Sequence, residues 1–383
     1  MLQLGVSKID ITPAMPIPLA GFAHRAGSFE SVAAPLFARC FWMQDDAAPP
    51  IFLVTADLIW WGAGITAAIR ARFPDVCVIL HATHTHSGPQ TAIGFAPELG
   101  LPSAAYLDAL EAFVVAGAAE ARENLEPVRV RTGSVNVALG INRRKLVNGE
   151  IRMAPNPDGP ADPECAIIQF ITSEGREKAL LVHATCHPTT TDARAVSSEF
   201  CGHAMARLDA GRGSVAGFLQ GFCGDVRPAL IKDGEFYRGG QEEVRQLGDL
   251  LADAVQARLA AGLDPRPTAP LRSFLIRVEL PFEESHPPVA AEMTCVRIAS
   301  GLCFVTCNAE IVVEYGFLAR KCGLIPLGYT NGMIGYVTTA RQLEEGGYES
   351  RGAFPFFGMP APFSLDAESV LRTAIIDASE IGT

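Results

Sequence analysis

Histidines are concentrated in two short segments of this chain. Five of the eight lie within residues 81–86 and 183–187, which a random distribution over the chain would rarely give. Imidazole and carboxylate groups suit a borderline cation such as Zn²⁺, and a catalytic zinc takes about three or four protein ligands while leaving a position for water or substrate. The residues that could supply such a set are His84 or His86, His187 and Glu310.

For each single histidine, the alternative is a hydrogen-bonded structural role in a turn. The pattern His-Thr-His is also less specific for zinc than His-Glu-x-x-His on a helix. Spacing alone therefore leaves metal binding and a structural role equally open. We interpret as structural the histidines that stand apart or are expected within strand ends: His24, His81, His183, His203 and His286.

The elements that must position these residues are predicted from apolar periodicity. Apolar runs with β-branched residues predict strands over residues 51–56, 76–80, 166–171, 179–183, 215–219 and 302–306. Helical patterns are found over residues 65–73, 104–122, 197–208 and 241–261. This alternation predicts an α/β protein, in which a mixed β-sheet is layered with α-helices.

Polar segments follow four of the predicted strands. These segments are residues 81–89, 183–189, 220–228 and 307–310, and they contain histidines, carboxylates and glycine-rich turns. In layered α/β proteins, ligands bind at the carboxyl ends of strands, where the loops emerge. The candidate ligands therefore occupy corresponding positions in the predicted fold.

Length and composition predict one large globular domain. A chain of 383 residues with 49% hydrophobic and 19% charged residues has enough apolar material for a substantial core. The proline-rich segment 264–270 would break a helix or a central strand, so any internal boundary is expected near residues 263–270. The net charge of −11 and the lack of a basic run argue against a nucleic-acid partner.

Targeting signals and cysteine pairs are not evident in the sequence. Residues 1–10 lack a basic segment followed by an apolar one, and no run of about 18 uncharged apolar residues occurs. We therefore predict a cytoplasmic protein without a transmembrane segment. The ten cysteines are scattered and form no Cys-x-x-Cys motif, which favours reduced thiols in the core.

The segment Thr-His-Thr-His-Ser-Gly-Pro at residues 83–89 resembles the corresponding stretch of the neutral, non-lysosomal ceramidases, which hydrolyse the amide bond of N-acylsphingosine. The resemblance continues in order over roughly residues 5–360. The matching segments are residues 10–13, 19–22, 55–57, 141–143, 187–189, 221–228, 335–339 and 347–349. It implies a neutral-ceramidase-like catalytic domain with one zinc ion per chain. The carboxy-terminal β-sandwich domain of that family is not expected here.

The resemblance also implies specific zinc ligands. Carried over motif by motif, they are His84, His187, Glu310 and Tyr336. The family reads approximately Pro-Gly-Glu where this chain has Asn-Ala-Glu at residues 308–310, so Glu314, one helical turn on, is the alternative to Glu310.

Three further residues of the matching motifs are implied to line the pocket. His86 is expected to transfer a proton, and Arg143 and Tyr348 are expected to contact the substrate carbonyl or the oxyanion that develops from it. Considered without the resemblance, Arg143 and Arg144 could form a solvated basic pair, and Tyr348 could be a surface turn residue.

One position departs from the family. Ceramidases have a catalytic serine where this chain has Arg227, and a guanidinium cannot act as a nucleophile at ordinary pH. Serine-dependent chemistry at this position is therefore excluded. Arg227 could bind a carboxylate or serve as an oxyanion donor, which would favour a substrate smaller or more polar than ceramide. Equally, it could pair with Asp225 or another carboxylate and only support the loop.

The sequence thus predicts a zinc-dependent hydrolase that uses a metal-activated water to cleave an amide bond of a small acylated substrate. A zinc-dependent esterase or lactonase on the same site is an alternative, and a non-catalytic, metal-containing binding protein is another. A cysteine hydrolase based on Cys186 or Cys223 is weaker, because a thiolate needs a suitably oriented base. The phenylalanine-rich segment 354–363 could form an apolar subsite or belong to the core. The oligomeric state is left open.

Overall fold

The structure is a computed structural model that describes residues 1–382, with the side chains up to residue 380. Its strands, in chain order, are β1 Gln3–Asp10, β2 Ser31–Val32, β3 Phe37–Gln44, β4 Ile51–Ala56, β5 Cys77–Ala82, β6 Glu126–Asn136, β7 Gly140–Val147, β8 Glu150–Asn156, β9 Glu164–Thr172, β10 Glu177–Ala184, β11 Ala195–Val196, β12 Val215–Gln220, β13 Val226–Pro228, β14 Ile231–Lys232, β15 Glu235–Phe236, β16 Asp264–Pro265, β17 Arg272–Leu280, β18 Val289–Ala299, β19 Leu302–Thr306, β20 Glu310–Ile311, β21 Leu324–Leu327 and β22 Tyr336–Val337.

Helices alternate with these strands, as predicted. They are α1 Ala63–Ala71, α2 Ala104–Glu123, α3 Glu199–Asp209, α4 Gln241–Ala260, α5 Val313–Lys321, α6 Ala340–Glu345 and α7 Asp366–Gly382, with short helical turns at Pro97–Leu99, Tyr348–Gly352 and Phe354–Phe357. The α/β class is confirmed. Among the helices of residues 1–382, none combines the length and apolar character needed to cross a bilayer.

The largest sheet is folded over on itself. Its main path runs β12-β10-β9-β6-β1-β3-β4-β5, with β16 attached to β6. Apolar side chains of β1, β3, β4 and β5 form a cluster with side chains of β6, β9, β10 and β12, so the two halves of the sheet pack face to face. Helices α1 and α2 cover the outer face of the first half, and α3 and α4 cover that of the second. The result is a layered order of helix, sheet, sheet and helix.

Burial explains the character of individual strands. All six residues of β4 are buried, and the strand is a continuous apolar run because both of its faces are covered. By contrast, residues 127–132 of β6 alternate between exposed and buried positions. This is the period-two pattern of a strand with one face towards solvent. Helix α2 buries Tyr106, Leu110 and Val114 at spacings of three or four residues.

A second sheet, of order β17-β18-β19-β21, follows the proline-rich segment. Helices α5 and α7 pack on this sheet, and its residues Val296, Phe304 and Leu327 also enter the central cluster between the two halves of the large sheet. Apolar contacts therefore join the part of the chain before segment 263–270 to the part after it.

The fold-over brings the two outermost strands of the large sheet together. The backbone amide of Gln220, at the end of β12, donates to Nε2 of His81 in β5 over 2.8 Å. The Gln220 side chain donates to the carbonyl oxygens of Thr83 and Cys186 over 3.2 and 2.8 Å. Gln220 thus ties together the loops that follow β5 and β10, and these are the loops that carry the clustered histidines.

Candidate metal centre

Three histidines in these loops share one hydrogen-bonding arrangement. Nδ1 of His84 lies 2.8 Å from the carbonyl oxygen of Ile59, Nδ1 of His187 lies 2.7 Å from that of Cys223, and Nδ1 of His86 lies 3.2 Å from that of Gly21. Since a carbonyl oxygen can only accept, each Nδ1 carries the proton and each Nε2 presents a lone pair.

The three Nε2 lone pairs converge on one small volume with a carboxylate. Nε2 of His86 is 3.2 Å from Nε2 of His84, and the ligand atoms of the three histidines all lie within 4.8 Å of one another. Oε2 of Glu310 lies 3.2 Å from Nε2 of His187 and 3.6 Å from Nε2 of His84. The structure therefore assembles every donor of the predicted His84, His187 and Glu310 set, with His86 beside it.

The histidine nitrogens and the carboxyl oxygen that face each other here are all electron-pair donors, and burial raises the pKa of Glu310. In the described part of the chain, Nε2 of His187 and Oε2 of Glu310 have no hydrogen-bond partner. Burial lowers the pKa of His84 to about 3 and that of His187 well below its usual value, so both rings are neutral. A cation placed among these atoms would satisfy all of them, and the chemistry of the donor set therefore fits a divalent metal ion.

Glu310 and Tyr336 are neighbours through a short parallel pairing. Strands β20 and β22 pair with Glu310 opposite Tyr336. Burial, followed by the charge of Glu310, raises the pKa of Tyr336 well above its usual value. Glu314, the alternative to Glu310, instead lies on α5 and forms an ion pair with Arg341. The structure thus places Glu310 and not Glu314 against the histidines.

Arg143 and Arg144 are not a solvated pair, and that interpretation is wrong. Only 4% and 5% of their surfaces are exposed. Nε of Arg143 donates to one oxygen of Glu349 over 2.7 Å, and Nη1 of Arg144 donates to the other over 2.9 Å. Nη2 of Arg143 also donates to the Tyr336 hydroxyl over 3.0 Å. Glu349 therefore compensates both guanidiniums and aims Arg143 at the centre.

Tyr348 lies on the outer side of the same group. It begins the single π-helical turn Tyr348–Gly352, and its half-buried ring is 5.7 Å from that of Tyr336. The guanidinium carbon of Arg143 is 5.8 Å from the centre of the Tyr348 ring. The interpretation of Tyr348 as a surface turn residue is therefore wrong, because it packs against the pocket residues.

Tyr329 is part of the site, although no motif or periodicity in the sequence indicated it. Its ring stacks on His84 with the centroids 3.8 Å apart and the planes 22° apart. Both residues have left-handed backbone conformations, with φ of 68° at His84 and 55° at Tyr329. Such conformations in non-glycine residues are uncommon and are concentrated at functional sites. Gly21 also has a positive φ, and a Cβ there would lie only 2.4 Å from Nδ1 of His86.

Arg227 is buried beside this centre, but it does not pair with Asp225. The Asp225 carboxylate accepts from the Val313 amide, Asn142 and Gln342 over 2.8 to 3.2 Å. Arg227 is only 5% exposed, and within residues 1–382 its Nε and Nη2 atoms have no hydrogen-bond partner. The interpretation that Asp225 neutralises Arg227 is therefore wrong.

The cysteines and the phenylalanine-rich segment are mainly structural. All ten cysteines lie in the described part of the chain and are free thiols. Burial raises the pKa of Cys186 and Cys223, so neither thiol is activated as a nucleophile. Phe363 stacks on Phe282 in the apolar core between the second sheet and helices α5 and α7. The Phe357 ring, by contrast, lies 6.0 Å from the Tyr336 ring. Phe357 thus brings one apolar wall to the centre.

A wide groove elsewhere on the protein does not mark the site. A groove of about 630 Å³ lies between the edge of β5 and the edge of β17, and its lining residues include Phe73, Cys77 and Phe274. None of the candidate ligands lines it. The candidate metal centre is instead recognisable from its buried polar atoms.

Comparison with solved structures defines the class of fold. The neutral ceramidase structure from Pseudomonas aeruginosa superposes with a TM-score of 0.81 at 17% identity, over 99% of this chain and 74% of that chain. A structure described as ceramidase complexed with C2 matches with the same TM-score at 18% identity, over the same shares of both chains. The chain therefore has the neutral ceramidase fold.

Sequence comparison shows the family. The family described as "Neutral/alkaline non-lysosomal ceramidase, N-terminal" matches residues 2–237, more than half of the chain, and the chain belongs to this family. The neutral ceramidase of Pseudomonas aeruginosa is 25% identical over 301 residues, which are 69% of this chain and 44% of that protein. That of Drosophila melanogaster is 23% identical over 264 residues, 60% of this chain and 36% of the relative. The chain thus spans less than half of these curated relatives.

Proposed function

We propose that this protein is a zinc-dependent hydrolase that cleaves an amide bond of a small acylated substrate. The observation that carries the proposal is the set of facing lone pairs at His84, His187 and Glu310, which a bound divalent cation would satisfy. Family membership supports amide hydrolysis, because the relatives of known name are ceramidases.

The proposed metal ligands are His84, His187, Glu310 and Tyr336. Glu310 contacts both ligand histidines through one oxygen, and Tyr336 is its direct neighbour across the β20–β22 pairing. When bound in such a set, zinc supplies a Lewis acid for a carbonyl group and brings the pKa of a water towards neutrality.

His86 is the proposed proton acceptor. Its Nδ1–H is directed at the Gly21 carbonyl oxygen, so the Nε2 lone pair, 3.2 Å from Nε2 of His84, faces the candidate metal centre and could take a proton there. Burial, followed by the neighbouring histidines, lowers the pKa of His86 well below its usual value. A neutral imidazole is the form that a general base requires. His86 is also half-buried, whereas His84 and His187 are fully buried.

Arg143 and Tyr348 are the proposed donors to the substrate carbonyl. Glu349 holds the Arg143 guanidinium in place, so its remaining N–H groups need little reorganisation when negative charge develops on the oxygen. The Tyr348 ring packs against Arg143 from the half-buried side of the pocket. A phenol O–H and a guanidinium would then approach the carbonyl oxygen from adjacent directions.

Turnover of N-acyl compounds by the metal-loaded protein tests this function. A panel of N-acyl amines, with the corresponding esters and lactones, is assayed with the wild type before and after removal of metal by chelation. We expect amide hydrolysis that is lost on chelation and restored by zinc. His187→Ala should be inactive, and His203→Ala should be active because His203 pairs with Asp249 on the surface. Chelation-resistant hydrolysis, or full activity in His187→Ala, would reject the proposal.

A further inference from the structure

Arg227 is a buried charge without a counter-charge in the described structure. It is the middle residue of β13, opposite Ile141 of β7, and its guanidinium lies over the Phe236 ring at 4.3 Å. No ion pair joins it to a carboxylate among residues 1–382. Buried charges in proteins are normally paired, because desolvation of an isolated ion is unfavourable by several kcal/mol.

The charged groups nearest to Arg227 increase this imbalance. Burial, followed by the guanidiniums of Arg238 and Arg143, lowers the pKa of Arg227 to about 9. At this value the side chain is still a cation at neutral pH. Arg143 is compensated by Glu349, but no carboxylate acts on Arg227. The guanidinium therefore keeps its positive charge and has N–H groups, on Nε and Nη2, that could donate hydrogen bonds to an anionic ligand.

Arg238 extends the positive side of the pocket towards solvent. Its side chain is 32% exposed, it stacks over Phe22 at 4.5 Å, and its Nη1 donates to the Thr189 carbonyl oxygen over 2.8 Å. The Phe22 ring also lies 5.0 Å from the His86 ring, so Arg238 lies one aromatic ring away from His86. Asp192 approaches Arg238 only at 4.0 Å.

Arg25 lies behind His86 and completes this cationic side. Its Nη2 donates to the carbonyl oxygens of Ala20 and His86 over 2.6 Å each, while Nε and Nη1 have no partner in the portion of the chain that is described. Asp192 and the buried Glu199 act on both Arg25 and Arg238. Of Arg25, Arg227 and Arg238, Arg227 is thus the one whose charge is least compensated by nearby carboxylates.

We propose that Arg227, with Arg238 at the mouth of the pocket, binds a carboxylate of the substrate, so that the enzyme acts on acylated compounds that carry a carboxylate, such as N-acylated amino acids. A planar guanidinium matches the two oxygens of a carboxylate, and the Phe236 ring packs against the guanidinium of Arg227. This inference rests on the proposed amide hydrolysis, since it names the substrate class for the same pocket.

Matched substrate pairs test the proposal. N-octanoylglycine is compared with N-octanoylglycinamide, and N-octylsuccinamic acid with its terminal amide, so that each pair differs only in the charge of one group. We expect the wild type to prefer the acid of at least one pair by about tenfold or more in kcat/KM, as charged hydrogen bonds of this type supply. Arg227→Gln should bring that ratio close to one, and Arg227→Lys should retain part of it.

Two further variants keep the result interpretable. Arg238→Gln changes a partly exposed residue and should lower the same ratio without affecting folding, as checked by thermal melting. Arg207→Gln removes an arginine that pairs with Asp249 and Asp253 on the surface, and it should keep the wild-type ratio. A ratio that stays unchanged in both Arg227→Gln and Arg238→Gln overturns the proposal.

Failure of the subsite and failure of the hydrolase give different results. Equal hydrolysis of acid and amide in both pairs overturns the carboxylate subsite and leaves the hydrolase intact. If neither compound is hydrolysed, calorimetric binding of the same pairs is measured with the metal-loaded protein. Tighter binding of the acid that is lost in Arg227→Gln supports the subsite while removing the proposed reaction. Equal binding overturns both.

Discussion

The pocket has two sides of opposite chemical character. We call the group of His84, His187 and Glu310 the histidine side, and the group of Arg227 and Arg238 the arginine side. On the histidine side, lone pairs of His84, His187 and Glu310 face one another and lack a cation. On the arginine side, Arg227 presents N–H groups that lack an anion. The histidine side keeps the family motif, whereas the arginine side departs from it. The proposed metal ion and the proposed anion would therefore bind to separate groups of residues, and mutations can remove either binding site without the other.

The two sides also differ in how the backbone holds them. His84 has a left-handed conformation and stacks on Tyr329, which is left-handed as well. Arg227 lies in β13, which pairs with β7 in regular antiparallel register. The proposed ligand His84 is therefore held in an uncommon backbone conformation, whereas Arg227 lies in a regular strand.

Removal of the Glu310 carboxylate should have the largest effect, because it breaks the histidine side. In Glu310→Gln an amide replaces the only carboxylate of the proposed ligand set, so we expect loss of bound metal and of turnover. The matched control is Glu314→Gln, the same change four residues further along the chain, on α5, which should keep both. Metal content is measured after dialysis, and turnover on the N-acyl panel. Equal effects of the two variants would show that the ligand assignment is wrong.

Glu349→Gln should produce the next largest effect, now on stability. It leaves Arg143 and Arg144 buried without their shared carboxylate, and breaking a buried ion pair lowers the free energy of unfolding by about 3–5 kcal/mol. Glu345→Gln is the control, because Glu345 contacts the same Arg144 from a partly exposed position, and such pairs contribute about 0–1 kcal/mol. Urea denaturation measures both. Comparable losses for the two variants contradict a special role of Glu349.

Arg227→Met should shift stability in the opposite direction. Because no carboxylate compensates Arg227, replacing it by an apolar side chain of similar length should raise the free energy of unfolding by about 1–3 kcal/mol when no anionic ligand is present. Arg207→Met is the surface control and should change it by less than about 1 kcal/mol. A loss of stability as large as that of Glu349→Gln would mean that Arg227 has a partner within the protein.

Tyr329→Phe should have the smallest effect. The change removes the hydroxyl, which lies 3.1 Å from Sγ of Cys223, but it keeps the ring that stacks on His84. We expect a loss of about 1 kcal/mol in the free energy of unfolding, with metal content unchanged. Metal loss in this variant would show that the hydroxyl, and not the stacking, holds His84 in place.

Local features of the fold were predictable from the sequence. The strands predicted over 51–56 and 302–306 have the observed bounds of β4 and β19, because their apolar runs end at polar or turn residues. The helix predicted over 197–208 begins only at Glu199. The fold-over of the large sheet was not predicted, since it depends on packing between strands that are far apart in the sequence.

The residues of the candidate site also fall into two groups, those that the sequence indicated and those that it did not. The strand-end rule and the family motifs together indicated His84, His187 and Glu310, and the structure brings them together. Gln220, Tyr329 and Glu349 were missed as site residues. Each acts through a partner more than 100 residues away, across contacts that leave no periodic pattern in the sequence. Arg227 was noticed only because it departs from the family motif.

The most direct test of the metal centre is elemental analysis of the purified protein by plasma mass spectrometry. The wild type is compared with His84→Ala and His187→Ala, and with His203→Ala as a control at a surface histidine. We predict about one zinc ion per chain in the wild type and in His203→Ala, and none in the other two variants. Wild-type protein that holds no metal and takes up none on reconstitution would contradict the account.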